Sequence, residues 1–403
     1  MHSRTLLVAT LGLLSCTPDE AERRGVSRAA LTAPQVVELN LNLGPNTSSD
    51  PETFVRFGDA GVAFFASRRG VGRELFVTDG TDAGTRLVRD VNPGTGSAPL
   101  PLSALGFVGG RLAFGANDGT RDDLWLSDGT ATGTRALTRD GGWRALPATL
   151  PNGLYFVSGP ALNSQAGLFR LDPGATDATR IASLTGCNAV PHFAAGTSRL
   201  GFVCDGFLGG PQPSLWLSDG TTAGTVQVEM NLGTVGVLAW NGDTLWYATS
   251  TALKRIDSGS SMPTTVATLT ATPRRIVFAG NVTWLLTTAS LLRIEGTTVG
   301  TMPSTVCATG DLVSSPVAGE ALLLPCFNAT TIERVSLDAG TEPVASGLST
   351  PRKLVRLDTR VAYRSGNSLC TLDGTDAGSV CGTYLFDSDT FEAAEFAGRV
   401  FFE

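Results

Sequence analysis

The chain has 403 residues, with 30 Lys and Arg against 37 Asp and Glu, a net charge of −7 at neutral pH. That balance argues against a nucleic-acid partner, which needs a clustered basic footprint. With 48 Gly and 21 Pro, long helices are disfavoured throughout, while the length is enough to bury an ample core.

The first fifteen residues read as an export signal. His2 and Arg4 form a weak polar start, Leu6 to Leu14 is an apolar stretch, and Leu13-Leu14-Ser15-Cys16 closes it. The stretch is too short to span a bilayer as a helix. A small residue before a cysteine at this point resembles a bacterial lipoprotein signal, which implies that Cys16 is lipidated and begins the mature chain. The alternative is an ordinary signal peptide cleaved nearby. The resemblance also implies outer-membrane sorting in a Gram-negative bacterium, since position 17 is not Asp. Residues 16–34 are polar, charged and unpatterned, and read as a tether; elsewhere no run approaches 18 apolar residues. The membrane is thus expected to be met through the N-terminal lipid only.

From residue 35 to 403 the chain is repetitive. Glu74-Leu-Phe-Val-Thr-Asp-Gly-Thr-Asp-Ala-Gly-Thr85 returns as Asp123-Leu-Trp-Leu-Ser-Asp-Gly-Thr-Ala-Thr-Gly-Thr134 and as Ser214-Leu-Trp-Leu-Ser-Asp-Gly-Thr-Thr-Ala-Gly-Thr225. A worn copy is Ser368-Leu-Cys-Thr-Leu-Asp-Gly-Thr-Asp-Ala-Gly378. The acidic turn position recurs at Asp79, Asp128, Asp172, Asp219, Asp257, Glu295, Asp338 and Asp373, on average about every 42 residues. A second marker keeps the same period. Short apolar runs end at Phe64, Phe114, Phe156, Phe202, Tyr247, Trp284, Leu324, Tyr363 and Phe402.

One unit, residues 102–140, shows four short apolar runs separated by Gly-Gly, Asn-Asp-Gly-Thr and Asp-Gly-Thr turn signals. Such runs read as strands joined by hairpins. No window after the first fifteen residues sustains a 3.6-residue period. Four short antiparallel strands every 42 residues or so make one blade of a β-propeller. The chain is therefore expected to be all-β, a single propeller of eight four-stranded blades, with seven and nine also compatible. Val36-Val-Glu-Leu-Asn-Leu41 resembles a fourth strand without its blade, and Phe391 to Glu403 supplies only first and second strands. A closing blade built from both ends would remove the open edge, but its third strand is missing from this reading.

Six cysteines follow Cys16, an even number for an exported chain, and suggest disulfides. Fifteen pairings are possible. Cys204 and Cys326 sit at equivalent places after the second-strand marker, and Cys187 and Cys307 at equivalent places near the preceding fourth strand. That register favours Cys187–Cys204 and Cys307–Cys326. Cys370 and Cys381 flank one hairpin turn and can face each other across it. Six free thiols are the alternative.

The repeated acidic turns at Asp79, Asp128, Asp219 and Asp373 tempt a calcium or sugar reading. A structural role is expected instead, because Asp accepts bonds from its own turn and Gly supplies positive φ. No copy matches a calcium loop. His192 is the one histidine after residue 2, and no Cys-x-x-Cys spacing exists, so no metal site and no cofactor are expected. No nucleophile elbow, phosphate loop, dinucleotide fingerprint or His-Glu-x-x-His is present, and no catalytic residue is assigned. Trp125 and Trp216 share one repeat position and read as packing, while Trp143, Trp240, Trp246 and Trp284 are candidate sugar platforms. Lys254 and Lys353 are the only lysines, leaving 28 arginines, a bias read as genome composition.

The phrase at 74–81, with Leu-Trp-Leu-Ser-Asp-Gly-Thr at 124–130 and 215–221 and Gly-Thr-Arg-Leu-Val-Arg-Asp-Val-Asn-Pro-Gly at 84–94, resembles the bacterial ELWxxDGT-repeat proteins. The resemblance is close in units 1, 2 and 4, recognisable in unit 8 and lost in units 5 to 7. It implies export and a propeller-like array and carries no catalytic residues. Sialidase propellers also bear an Asp-containing hairpin in each blade, an analogy of fold alone. The expected function is a non-enzymatic cell-surface lipoprotein whose propeller binds a protein or a glycan. The alternative is an exported hydrolase or lyase acting on polysaccharide.

Overall fold

The structure is a computed structural model of the full chain. It describes residues 6–10, 35–39 and 49–402, apart from 60, 100–105, 138–146, 160–164, 207–211, 303–311, 316–321, 326–329, 337–339, 358–359, 367, 373–378, 384–392 and 397–398. Among the described residues there are nine four-stranded antiparallel sheets, and no helix is long and apolar enough to cross a membrane. The fold is a β-propeller.

Eight sheets follow one another along the chain, within residues 52–89, 106–136, 148–185, 189–229, 235–268, 273–302, 313–345 and 351–383, and are called blades 1 to 8. In each, the four strands pair in chain order from the axis outward. First strands of successive blades touch one another, as Ala189–Ala195 touches Val235–Asn241 and the latter touches Pro273–Ala279, so these strands line the axis.

The ninth sheet joins the two ends of the chain. Its order is Gln35–Leu39, Leu6–Thr10, Arg399–Phe402, Ala393–Phe396. The count is thus nine rather than the favoured eight, and the third strand not found in the sequence is Leu6–Thr10, in register with Val8 opposite Phe401. This strand lies inside the apolar stretch read as a signal, ahead of the expected propeller boundary at residue 35. An apolar run of this length serves either purpose, and its sequence alone does not distinguish them.

Each blade seam has its own apolar cluster. Ala63, Phe65 and Leu75 of blade 1 meet Leu112, Phe114 and Trp125 of blade 2, and equivalent clusters fill the seams onward to blade 8. Two further clusters close the ring. Phe401 packs with Val62, Phe64 and Phe76 of blade 1, while Val400 and Phe402 pack with Ala362 and Leu369 of blade 8. The alternation of strand side chains produces this division, because neighbours along a strand point to opposite faces. All nine residues of the second sequence marker, from Phe64 to Phe402, lie on second strands and are buried. Burying a side chain of this size contributes about 1.5–3 kcal/mol, so each marker is a principal anchor of its seam.

Arginines tie the blades together where the clusters stop. The Nη1 of Arg86 donates to Gly129 O at 2.7 Å, that of Arg111 to Ala175 O at 2.8 Å, and that of Arg199 to Ser260 O at 2.6 Å. Arg170 reaches Gly220 O and Arg255 reaches Gly296 O, both at 3.4 Å. In every case a blade's guanidinium meets the hairpin between strands three and four of the next blade. Turn carbonyls there have no strand partner, and a fork of fixed donors suits them. The arginine excess therefore has a structural use.

Candidate functional site

The ring has two faces. First strands begin on the top face, where the chain crosses from one blade to the next, and the Asp-Gly-Thr hairpins lie on the bottom face.

On the bottom face the repeated phrase folds into one hydrogen-bond mesh three times. Asp128 Oδ1 accepts the Thr130 amide at 2.9 Å and the Thr130 hydroxyl at 2.6 Å. Thr130 Oγ1 in turn accepts the Gly133 amide at 3.0 Å, and Thr134 Oγ1 donates to Thr130 O at 2.7 Å. Ser127 Oγ accepts the Gly129 amide and bonds Thr134 Oγ1 at 2.7 Å. Asp79 and Asp219 repeat the pattern with Thr81 and Thr221. The first glycine is needed because its φ is +90° at Gly80, +83° at Gly129 and +86° at Gly220. The second is needed for space, since a Cβ on Gly84, Gly133 or Gly224 would stand 2.0 Å from the aspartate Oδ1. The Thr130 hydroxyl and amide hold the Asp128 carboxyl below the usual carboxylate range. Asp118, bonded to Thr120 in the same way, is lowered for the same reason. These carboxylates are engaged by their own turns. Asp373 lies outside the described residues.

On the top face Glu74, the first residue of the phrase, is fully buried and accepts the amides of Val91 and Asn92, each at 3.1 Å. It thereby caps the chain as it leaves blade 1. Burial pushes its carboxyl up to about 7; the two amides oppose this and Asp90 adds repulsion. The sequence reading had not singled out Glu74. The signal that was present is the run Arg-Asp-Val-Asn-Pro-Gly following the first copy, whose first crossover residues it binds.

A second polar group spans the seam of blades 4 and 5. Glu229 accepts the Tyr247 hydroxyl on one oxygen and the Lys254 ammonium on the other. Burial and Glu229 push the phenol upward, so Tyr247 stays protonated and serves as a donor.

Two of the expected disulfides are present. Cys187 and Cys204 stand 5.0 Å apart at Cα and join the crossover into blade 4 to its second strand. Cys370 and Cys381, at 4.1 Å, are direct cross-strand partners in blade 8. Cys307, Cys326 and Cys16 lie outside the described residues, as does Trp143. His192 Nε2 bonds Val235 O at 2.9 Å across two first strands, a clasp rather than a catalytic arrangement. Among the described residues no three His, Cys, Asp or Glu side chains gather to hold a metal.

The tryptophans divide similarly. Trp125, Trp246 and Trp284 are buried. Trp240 is half-buried, donates its indole N–H to Ala194 O at 3.1 Å and is covered by Arg199, whose guanidinium carbon lies 5.6 Å from the ring centroid. Trp216 stacks on Phe202. None of these rings presents an uncovered platform.

No family model and no curated protein matches the chain. Among solved structures, one of a eukaryotic initiation factor is similar over 99% of this chain and 98% of that one, at TM-score 0.56 and 11% identity. A structure of prolyl endopeptidases covers 85% of this chain at TM-score 0.50 and 10% identity, this chain spanning 51% of that one. BamB from Moraxella catarrhalis has 12% identity and TM-score 0.46 over 84% of this chain and 98% of that one. At such identities the likeness extends to the propeller fold alone.

Proposed function

We propose that this protein is a non-enzymatic binding platform, exported and held at the cell surface through lipidated Cys16, whose propeller engages a glycan or another protein. The observation that carries the reading is how the repeated polar groups are used. Asp79, Asp128 and Asp219 are bonded within their own turns, and Glu74 to the crossover behind it. The repeat thus builds a stiff ring, and recognition falls to residues that differ between blades. Propellers present such residues around the axis. Screening the purified protein against glycan arrays and cell-surface extracts, with parallel assays for polysaccharide cleavage, tests the reading. Specific binding without turnover is expected. Turnover would replace the reading by that of an exported hydrolase or lyase. Acyl labelling of wild type and Cys16→Ala tests the anchor, and an unlabelled wild type refutes it.

A further inference from the structure

The inner ring has a charge opposite to that of the protein. The whole chain carries −7, yet the first strands of the nine sheets hold Arg56, Arg274, Arg275, Arg352, Lys353 and Arg356 against Glu52 and Glu395. Glu52 is paired with Arg73. Four of the six cations share one location, at the top ends of two strands with matching sequence. Pro273-Arg-Arg275 opens blade 6 and Pro351-Arg-Lys353 opens blade 8. Pro273 lies opposite Thr287 and Pro351 opposite Ser365, so the two starts have corresponding registers. The first strand of blade 7, Val313–Ser314, touches both.

Each strand is bulged where the cations sit, between Pro273 and Arg275 and between Arg352 and Val355. The first strands of blades 1, 4 and 5 are bulged near their starts as well, so what sets blades 6 and 8 apart is that cations occupy the bulge. A bulge re-aims side chains that regular pairing would send into the seams. Lys353 takes φ +58°, a left-handed conformation shared by Thr53 at +57° at the corresponding place in blade 1. Arg274 is exposed and Arg275 half-buried, and among the described residues neither guanidinium forms a hydrogen bond or ion pair. This contrasts with Arg86, Arg111 and Arg199, which bridge blades, and with Arg356 at the other end of the ring, whose Nη1 donates to Ser314 O at 2.9 Å. The described top connections around the site, residues 269–272, 288–290, 330–331 and 346–350, contain no acid and are rich in Ser and Thr. Hydroxyls and guanidinium forks with few carboxylates nearby suit an anion attached to a hydroxylated chain.

We infer that the top of the axis across blades 6 to 8 binds an acidic glycan, its carboxylate or sulfate groups held by Arg274 and Arg275 on one side and Arg352 and Lys353 on the other. The inference deepens the platform reading and rests on it. A glycan is favoured over a nucleic acid because the cations are confined to two short strands, while the surface as a whole is acidic and repels a dense polyphosphate.

The test is a titration of the full-length protein with polygalacturonate (carboxylate), heparin (sulfate), neutral dextran and single-stranded DNA. Binding to polygalacturonate or heparin, and not to dextran, is expected. The better of the two polymers identifies the anion. Arg274→Ala with Arg275→Ala should weaken that binding at least tenfold and flatten its salt dependence, and Arg274→Glu alone should do the same from an exposed position. Arg56→Ala, at the bottom of the axis, should leave it unchanged. Unaltered affinity in the Arg274 and Arg275 variants, with an unaltered melting profile, overturns the inference; so does tighter binding of DNA. A protein that ignores both acidic polymers but binds a neutral glycan or a protein loses this inference and keeps the platform reading. One that binds no glycan and no surface protein loses both.

Discussion

Replacing Gly133 by Ala sets a methyl group against the Asp128 carboxylate, whose three atoms lie within 2.0 to 2.1 Å of the ideal Cβ position. The backbone at Gly133 is not left-handed, so the added carbon itself introduces no φ strain. The carboxylate must leave, and with it the bonds to the Thr130 amide at 2.9 Å and the Thr130 hydroxyl at 2.6 Å. Hydrogen bonds to a charged group contribute about 1.5–3 kcal/mol each when buried. Asp128 is exposed, so the pair together is expected to contribute about 1–2 kcal/mol. Asp128→Ala loses the same two bonds and should cost a similar amount. The double variant then separates cause from coincidence. Once the carboxylate is gone the methyl group fits, so the double variant should be no less stable than Asp128→Ala alone. The coupling energy is therefore expected to be about 1–2 kcal/mol, favouring the pair. Chemical denaturation at constant m-value measures it, with exchange protection of the Thr130 amide as the local readout. Simple additivity of the two single variants would refute the reasoning, and with it the account of why the phrase has a second glycine.

Glu74→Gln should remove a pH dependence. The folded carboxyl is raised to about 7 from the ordinary 4.5, so the folded protein binds more protons between those values, and wild-type stability should fall as pH rises through that window and flatten in the variant. Arg111→Met should cost about 1–2 kcal/mol by leaving Ala175 O without its donor, and Arg111→Lys should recover little, because a single ammonium does not reproduce the fork; full recovery by lysine would count against the bridge. Removing Cys187–Cys204, which closes a separation of 17 residues, should cost about 2–3 kcal/mol, and non-reducing peptide mapping should return that pair and Cys370–Cys381. Finally, Ala9→Cys with Val400→Cys places cysteines on direct strand partners, so a cross-link is expected in precursor kept from export and none in exported protein cleaved at Cys16; a cross-link in the exported protein would refute cleavage.

The architecture was largely legible because its two markers do different physical jobs at one period. The aromatic marker fills seams and the acidic marker closes hairpins, and either alone would have been weaker support for a repeat. Nine copies of the seam marker, eight aromatic and one Leu324, match the nine sheets. Eight units were favoured because the closing sheet draws Leu6–Thr10 from a segment that reads equally well as a signal. The disulfide in blade 4 was legible from repeat register, which stands in for distance when equivalent positions can be compared, and that in blade 8 from two cysteines flanking one hairpin turn. Glu74 was not, since its partners are backbone amides at Val91 and Asn92, and amides carry no sequence signature. Nor was the basic top of blades 6 and 8. Its four cations become a group only when strands 78 residues apart are placed around one axis, each bulged near its start.

The loss of the Asp-Gly-Thr phrase in the other blades follows a rule of its own. In blades 3, 5 and 6, where Asp-Gly-Thr is absent, the turn acid remains, but its partner changes from a threonine to an arginine two residues earlier. Arg170 pairs with Asp172 at 2.7 Å, Arg255 with Asp257 at 3.1 Å and Arg293 with Glu295 at 2.8 Å. Arg170 and Arg255 also reach the next blade, at Gly220 O and Gly296 O. The acid thus stops shaping its own turn and instead steadies a bridge between blades. Such exposed pairs contribute little individually, about 0–1 kcal/mol, so the hairpin is less tightly specified than where the Thr mesh is complete. Among the described residues the complete Thr mesh is confined to blades 1, 2 and 4. The basic group at Arg274, Arg275, Arg352 and Lys353 uses a bulged first-strand start that blades 1, 4 and 5 share. Blade 1 has a left-handed Thr53 where blade 8 has Lys353, so the backbone that carries the group is a feature of the repeat and only the side chains are particular to blades 6 and 8.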